Sequence, residues 1–342
     1  MKKFAIVFSV LVFFVSCIIN TSTGKLHLLD TLLDNQFVVS LAIADDGTAW
    51  TGIIRDQYGL VRIDPDGGTE IFDHTNSCLT DSANIWDIEI DSQGKIWMLN
   101  DDGLICYNGD TFTRYDSIDN FYIPKAFENL LAIDHDDNIW FIGYNPWVNC
   151  PTQRIFSFDG ENFLSYEPNG MDLDMGPILS DIEIDRSGNV WFSFRNDDPV
   201  FLKYNAGEWA SYDSTDIGFA PYNIADIEFD SDNNLWFNDD ITFSSSIQYY
   251  ENYPGLYCFD GEHEANTYGD MYCISQVSVD EHDNVWVCGF SPRLAVLDIN
   301  RKWVSNNSDD VGFCRVMETG PNGEMWVGTS TGIMIYRYGQ TK

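Results

Sequence analysis

The sequence predicts an all-β chain folded as a seven-bladed β-propeller whose last blade is closed by an N-terminal strand. Three observations predict it. A tryptophan recurs seven times at intervals of 40–51 residues. The same turn signature precedes each of them. The final repeat also lacks one strand, and a matching strand stands at the other end of the chain. A repeat of about 45 residues holding several short strands marks a radial β architecture.

The tryptophans are Trp50, Trp97, Trp140, Trp191, Trp236, Trp286 and Trp326. Three positions earlier stand Gly47, Gly94, Asp137, Gly188, Asn233, Asp283 and Gly323. These are the residue types that tolerate a left-handed backbone. Six positions earlier stand Asp91, Asp134, Asp185, Asp230 and Asp280, with Ala44 and Gly320 as the exceptions. A carboxylate at the start of a tight turn caps that turn's own N–H groups. Each repeat therefore begins with a hairpin.

The first strand shows period-two alternation in Ile88-Glu89-Ile90, Ile182-Glu183-Ile184 and Ile227-Glu228-Phe229. The second strand starts at the tryptophan, and a variable connection follows it. The third strand is predicted over 104–107, 155–158, 202–204 and 256–259. It ends in Asn108-Gly109, Asp159-Gly160 or Asp260-Gly261, strong hairpin signals. A fourth strand follows over 112–115, 163–166 and 209–212. The seventh repeat stops after its third strand, 333–336. The segment Lys25-Leu26-His27-Leu28-Leu29-Asp30 fits the missing fourth strand, so the two chain ends are expected to share one blade and remove the free edges.

The unit Asp-x-x-Gly-x-x-Trp, then Gly-(Leu/Ile), then aromatic-(Asp/Asn)-Gly resembles the two-component regulator propeller repeat. It is carried by Asp91-Ser92-Gln93-Gly94-Lys95-Ile96-Trp97 with Gly103-Leu104, and by Gly323-Glu324-Met325-Trp326 with Gly332-Ile333. The resemblance covers about residues 25–342. It implies the propeller fold and an extracytoplasmic setting. Family members often form the sensor half of hybrid histidine kinases. This chain has one ring and no kinase segment.

The N-terminus reads as an address. Met1-Lys2-Lys3 precedes an apolar run over 4–15, too short to span a bilayer, and then Ser16-Cys17. Phe14-Val15-Ser16-Cys17 resembles a lipobox, with Phe14 in place of the usual leucine. The expected organisation is a lipoprotein signal peptide at 1–16, a lipidated tether at 17–24 beginning at Cys17, and a propeller at 25–342. A plain secretory signal with an incidental cysteine is the alternative. The expected location is the bacterial cell envelope.

Lys and Arg number 18 against 54 Asp and Glu, a formal charge of −36. Residues 1–16 contain two lysines and no acid, so their removal leaves −38. That charge excludes nucleic acid as a partner and leaves the lipid anchor as the sole membrane contact. A 44% hydrophobic content supports a large core, and the body is expected to be a monomer. Seven cysteines remain after Cys17: Cys78, Cys106, Cys150, Cys258, Cys273, Cys288 and Cys314. Their spacings fit no zinc pattern. Cys106 and Cys258 fall in apolar strands and read as small core residues. An odd count leaves at least one free thiol, and spacing alone selects no pairing.

In a four-stranded meander the first-to-second and third-to-fourth turns share one face. The longer connections share the other. Variable loops on a rigid scaffold are where binding usually resides. The connections around 117–129, 143–154, 168–178 and 238–255 contain Phe121, Tyr122, Trp147, Phe243, Tyr249, Tyr250 and Tyr253, and a neighbouring connection adds Phe219 and Tyr222. Such rings stack on sugars, anchor a protein, or pack the loops down. Arg55, Arg154, Arg195 and Arg293 fall in or beside second-to-third connections. They clamp a carboxylate or sulfate, or pair with the abundant acids. The expected partner is a glycan, a peptide or an envelope protein.

Enzyme signals are weak. The five histidines are His27, His74, His135, His263 and His282, and none has a paired nucleophile at a recognised spacing. Asp134-x-Asp136-x-Asn138 and Asp230-x-Asp232-x-Asn234 look superficially like calcium loops but coincide with the repeated hairpin. The expected function is a non-catalytic binding module with no required cofactor. One alternative is a propeller enzyme resembling virginiamycin B lyase, which needs a histidine and carboxylates converging on the long-loop face. Another is a purely structural envelope protein.

One constellation remains. Asp87-Ile88-Glu89, Asp181-Ile182-Glu183 and Asp226-Ile227-Glu228 repeat on first strands, which lie nearest the axis, and Glu318 adds a fourth glutamate. The acids are expected to lean into a wet axial channel, where Asp87, Glu89, Asp181, Glu183, Asp226 and Glu228 hold Ca²⁺ or simply hydrate the opening.

Overall fold

A computed structural model of the chain describes residues 24–340 except 55–58, 82–83, 102, 116, 119–120, 123–129, 146–151, 169–177, 196–198, 222, 240–254, 270–271, 292 and 307–311. Seven antiparallel sheets follow one another along the chain, and the first strand of each touches the first strands of its two neighbours around a closed ring. Blade seven is completed by Gly24–Leu32, which pairs with Gly332–Gln340 in the register Lys25↔Gly339 to Leu32↔Ile333. The expected closure is present.

The closing strand is only partly covered. Leu28 and Leu29 are 53% and 48% exposed. An outermost strand is covered on one side only, so its hold comes from the ladder and from half-buried Leu26 and Leu32. Blade three also departs from the four-strand pattern. The connection leading into it forms a small hairpin, Ser117–Ile118 with Phe121–Tyr122, and Tyr122 pairs with Tyr144. The connection after blade four contains a one-turn helix, Ser214–Ile217, capped by Asp213 and ended by left-handed Gly218.

All seven repeat tryptophans are buried, and all seven residues three positions before them are left-handed, with φ between 57° and 86°. The aspartate six positions before does more than cap the turn. Asp185 accepts from the N–H groups of Ser187 and Asn189, from the Asn189 amide, and from the Trp191 indole at 2.9 Å. The same indole bond reaches Asp91, Asp134, Asp230 and Asp280. The carboxylate thus ties hairpin to core. In blade seven, where Gly320 replaces the aspartate, Glu324 stands near the Trp326 indole at 3.5 Å.

The blades are latched to each other at both ends. On the short-turn face, Asp137 and Asp283 accept from Ser92 and Ser231 of the preceding blade, and Asn233 accepts from the Arg186 N–H. At two of the four glycines in this position, bulk sits opposite. A Cβ on Gly188 would lie 3.1 Å from His135, and one on Gly323 would lie 2.5 Å from Glu281. Cys288 of blade six is disulfide-bonded to Cys314 of blade seven, a staple beside the closing blade that spacing alone did not select. Cys106 and Cys258 are free and buried, as expected, and Cys78 is half-buried.

Candidate functional site

The axis is built from the first strands. In blades two and four the pairing slips by one residue immediately before Asp87 and Asp181. Such a bulge re-aims the side chain that follows it. Asp87 accepts from its own strand at Ile88 and from the Leu131 N–H of the next blade, both at 2.9 Å. Asp181 accepts from Ile182 and from Ile227 of the next blade, and Asp226 accepts from Val277 of the next. All three are buried. The aspartates therefore do not lean into water. They are a second tier of latches, one blade to the next, because a bulged inner strand places a carboxylate opposite its neighbour's unpaired N–H. In blade one Ser40 holds the equivalent place and donates to the Ile85 carbonyl at 2.7 Å.

The glutamates do converge on the axis. Glu89, Glu183, Glu228 and Glu318 are half-buried, and Glu89 feels the charges of Glu318 and Glu228 from non-adjacent blades. Burial is the main cause of their raised pKa values, with mutual repulsion added. Glu228 is pushed up to about 7 and Glu318 to about 8, and Glu89 and Glu183 stand well above the carboxylate range. Burial also raises Asp87 and Asp226 to about 7 against the opposing pull of their N–H partners, and burial with the nearby Asp226 charge raises Asp181 well above the carboxylate range. Among the described residues no three His, Cys, Asp or Glu side chains are grouped so as to hold one metal ion.

The long-loop face is the other candidate. Phe219 stacks on Tyr257 at 4.3 Å between ring centres and packs its loop down. Arg154 is ion-paired with exposed Glu167 at 2.8 Å. Arg195 ends the second strand of blade four and bridges Asn223, and Arg293 is half-buried before the third strand of blade six. Phe121 and Tyr122 form the added strand of blade three. Cys17, Arg55, Trp147, Tyr222, Phe243, Tyr249, Tyr250 and Tyr253 lie outside the described residues.

One aromatic on this face has no place in the repeat. Trp86 stands at the long-loop end of the first strand of blade two, and its indole donates to Asp101 at 2.8 Å. Asp101 also accepts from the Asn84 backbone and amide. The only signal for Trp86 in the sequence is a tryptophan eleven residues before the repeat position. Exposed Ile178 and Phe313 belong to the same face.

The histidines stay away from the axis. His27 lies on the closing strand, His74 just outside the fourth strand of blade one, and His135 and His282 in short turns. His263 lies in a third-to-fourth turn, where exposed Asp260 bonds its Nδ1 at 2.7 Å and raises its pKa. No histidine thus sits among the carboxyls of the first strands.

No family model and no curated protein matches the chain. Solved structures do. A streptogramin B lyase superposes with a TM-score of 0.69 at 14% identity, over 92% of this chain and 98% of that one. A catalytically inactive histidine-to-alanine variant of virginiamycin B lyase from Staphylococcus aureus, with quinupristin, gives 0.68 at 14% over the same shares. The extracellular domain of a hybrid two-component system from B. thetaiotaomicron gives 0.66 at 15%, over 92% of this chain and 41% of that one. At these identities the likeness is one of fold.

Proposed function

We propose that this protein is a lipid-anchored, extracytoplasmic β-propeller that binds a glycan, peptide or protein through its long-loop face without catalysing a reaction. One observation carries the reading. The axial aspartates and the groups of the short-turn face already have structural roles: aspartates latched to the next blade, turn carboxylates bound to indoles, and a turn histidine bonded to Asp260. The long-loop face is the surface whose residues the ring does not dictate. The segment 1–16 acts as the signal peptide, Cys17 receives the lipid, and 17–24 is the tether. The likeness to the extracellular domain of a two-component system agrees with that location.

The test is a glycan and peptide array on the purified body, run beside an incubation with quinupristin. The expected result is saturable binding that is lost on substituting Trp86, with quinupristin recovered at unchanged chromatographic retention. Conversion of quinupristin would establish the enzyme reading instead. For the anchor, Cys17→Ser is expected to move the protein from the membrane fraction to the soluble one, and retention of that variant in the membrane would refute lipidation.

A further inference from the structure

The closing strand has a direction, and that direction fixes how an anchored ring presents itself. Leu32 pairs with Ile333, next to the 330–331 connection on the long-loop face, whereas Gly24 pairs with Gln340 at the opposite end. Arg337, opposite His27, reaches the carbonyl of Asn322 in a short turn at 3.5 Å. The chain therefore enters the ring at the short-turn face, on the outer edge of blade seven.

Gly24 stands seven residue steps after Cys17. Fully extended they reach at most about 25 Å. The closing strand has nine residues, Gly24–Leu32, and spans about 27 Å at the usual rise. A lipid on Cys17 thus cannot reach past the long-loop end of its own blade. If the ring turned over, the tether would be spent along the blade's height before the anchor reached the bilayer.

We propose that the anchor holds the ring with its short-turn face toward the membrane and its long-loop face toward the aqueous compartment, so that the partner is a soluble one. This rests on the proposed lipidation of Cys17. The charge of −38 left once residues 1–16 are removed adds two features. Repulsion from anionic headgroups decays over about 8 Å, well inside the tether's reach, so the body stands off the surface. The same charge selects an uncharged or basic partner over a polyanion.

The test uses the full-length lipoprotein purified from membranes and reconstituted on the outside of phosphatidylcholine vesicles containing a fluorescent acceptor lipid. A bioorthogonal amino acid bearing the donor replaces either Asn322, in the short turn of blade seven, or Asp34, just past the long-loop end of the closing strand. Both positions are exposed. Energy transfer is expected to be greater from position 322 than from position 34, and to vanish for both in Cys17→Ser. Equal transfer, or greater transfer from position 34, on vesicles that float with the protein would overturn the orientation alone. Wild-type protein that does not float, with no lipid on Cys17 by mass spectrometry, would overturn the lipidation and the orientation with it.

Discussion

Asp185→Ala probes the tie between hairpin and core in the blade where it is most enclosed. The Asp185 side chain has no exposure. Burial alone would raise its pKa, but bonds from Asn189 and Trp191 and from the turn N–H groups outweigh that and hold it below the ordinary carboxylate value. Truncation strands the Trp191 indole N–H and the Asn189 amide, both buried, and the Asn189 backbone N–H. The Ser187 N–H is at the surface, where water replaces the lost acceptor. Lys203, 3.6 Å away and partly exposed, loses little. Two to three stranded buried donors at about 1–3 kcal/mol each, partly relieved by water entering the gap, give about 3–5 kcal/mol. That is a large share of the roughly 5–15 kcal/mol that holds a domain folded. Asp185→Asn keeps one acceptor oxygen and is expected to cost about half as much. Urea unfolding followed by tryptophan fluorescence measures both. A loss below about 1 kcal/mol for the alanine variant would refute the reasoning, because it would mean that the donors find water as readily as they find the carboxylate.

Three further outcomes are expected. Deleting residues 25–34 strips seven of the eight ladder pairs from Gly332–Gln340 and leaves an open edge, so the melting temperature should fall far more than for an ordinary terminal truncation; an unchanged value would count against closure by the chain ends. The axial carboxyls have folded pKa values raised to about 7 for Asp87, Asp226 and Glu228 and about 8 for Glu318, so the folded state binds more protons than the unfolded one above the ordinary carboxylate range. Stability should therefore be highest in mild acid and fall as pH rises to about 8, and Glu318→Gln should flatten that slope; a melting temperature that climbs over this window would contradict it. Replacing Cys288 and Cys314 by serine opens a cross-link with a sequence separation of 26 and should cost about 2–4 kcal/mol in urea unfolding. A variant as stable as the parent would show that the latches alone fix blade seven to blade six.

The repeat grammar was legible because it is local. A left-handed residue and a turn aspartate at fixed distances from a tryptophan are requirements of one hairpin, and all seven left-handed positions hold. The closing strand was legible because the last repeat was one strand short. The axial aspartates were misread because alternation alone sends Asp87 and Glu89 to the same side. What decides the fate of Asp87 is the neighbouring blade, which offers it the Leu131 N–H, a contact that the alternation of one strand does not contain. The Asn189 amide, which also holds Asp185, had a signal that was passed over: an asparagine recurs two residues before the tryptophan at Asn138, Asn189, Asn234 and Asn284. The Cys288–Cys314 pairing depends on how the second strand of blade six faces the first strand of blade seven, information that spacing does not contain. Phe219 was read as either a ligand contact or packing for its connection, and the ring it stacks on, Tyr257, is set by tertiary contact that the sequence does not show.

The central claim is that interaction occurs on the long-loop face and not on the latched short-turn face. A photo-crosslinking amino acid placed singly in cells producing the full-length protein tests this directly. Positions His74, Ile178 and Phe313 sample the first face, and Glu161, Asp232 and Asn322 sample the second; all six are exposed. The account predicts that light-dependent adducts form from the first three positions and not from the last three. Adducts formed only from Glu161, Asp232 or Asn322 would contradict it.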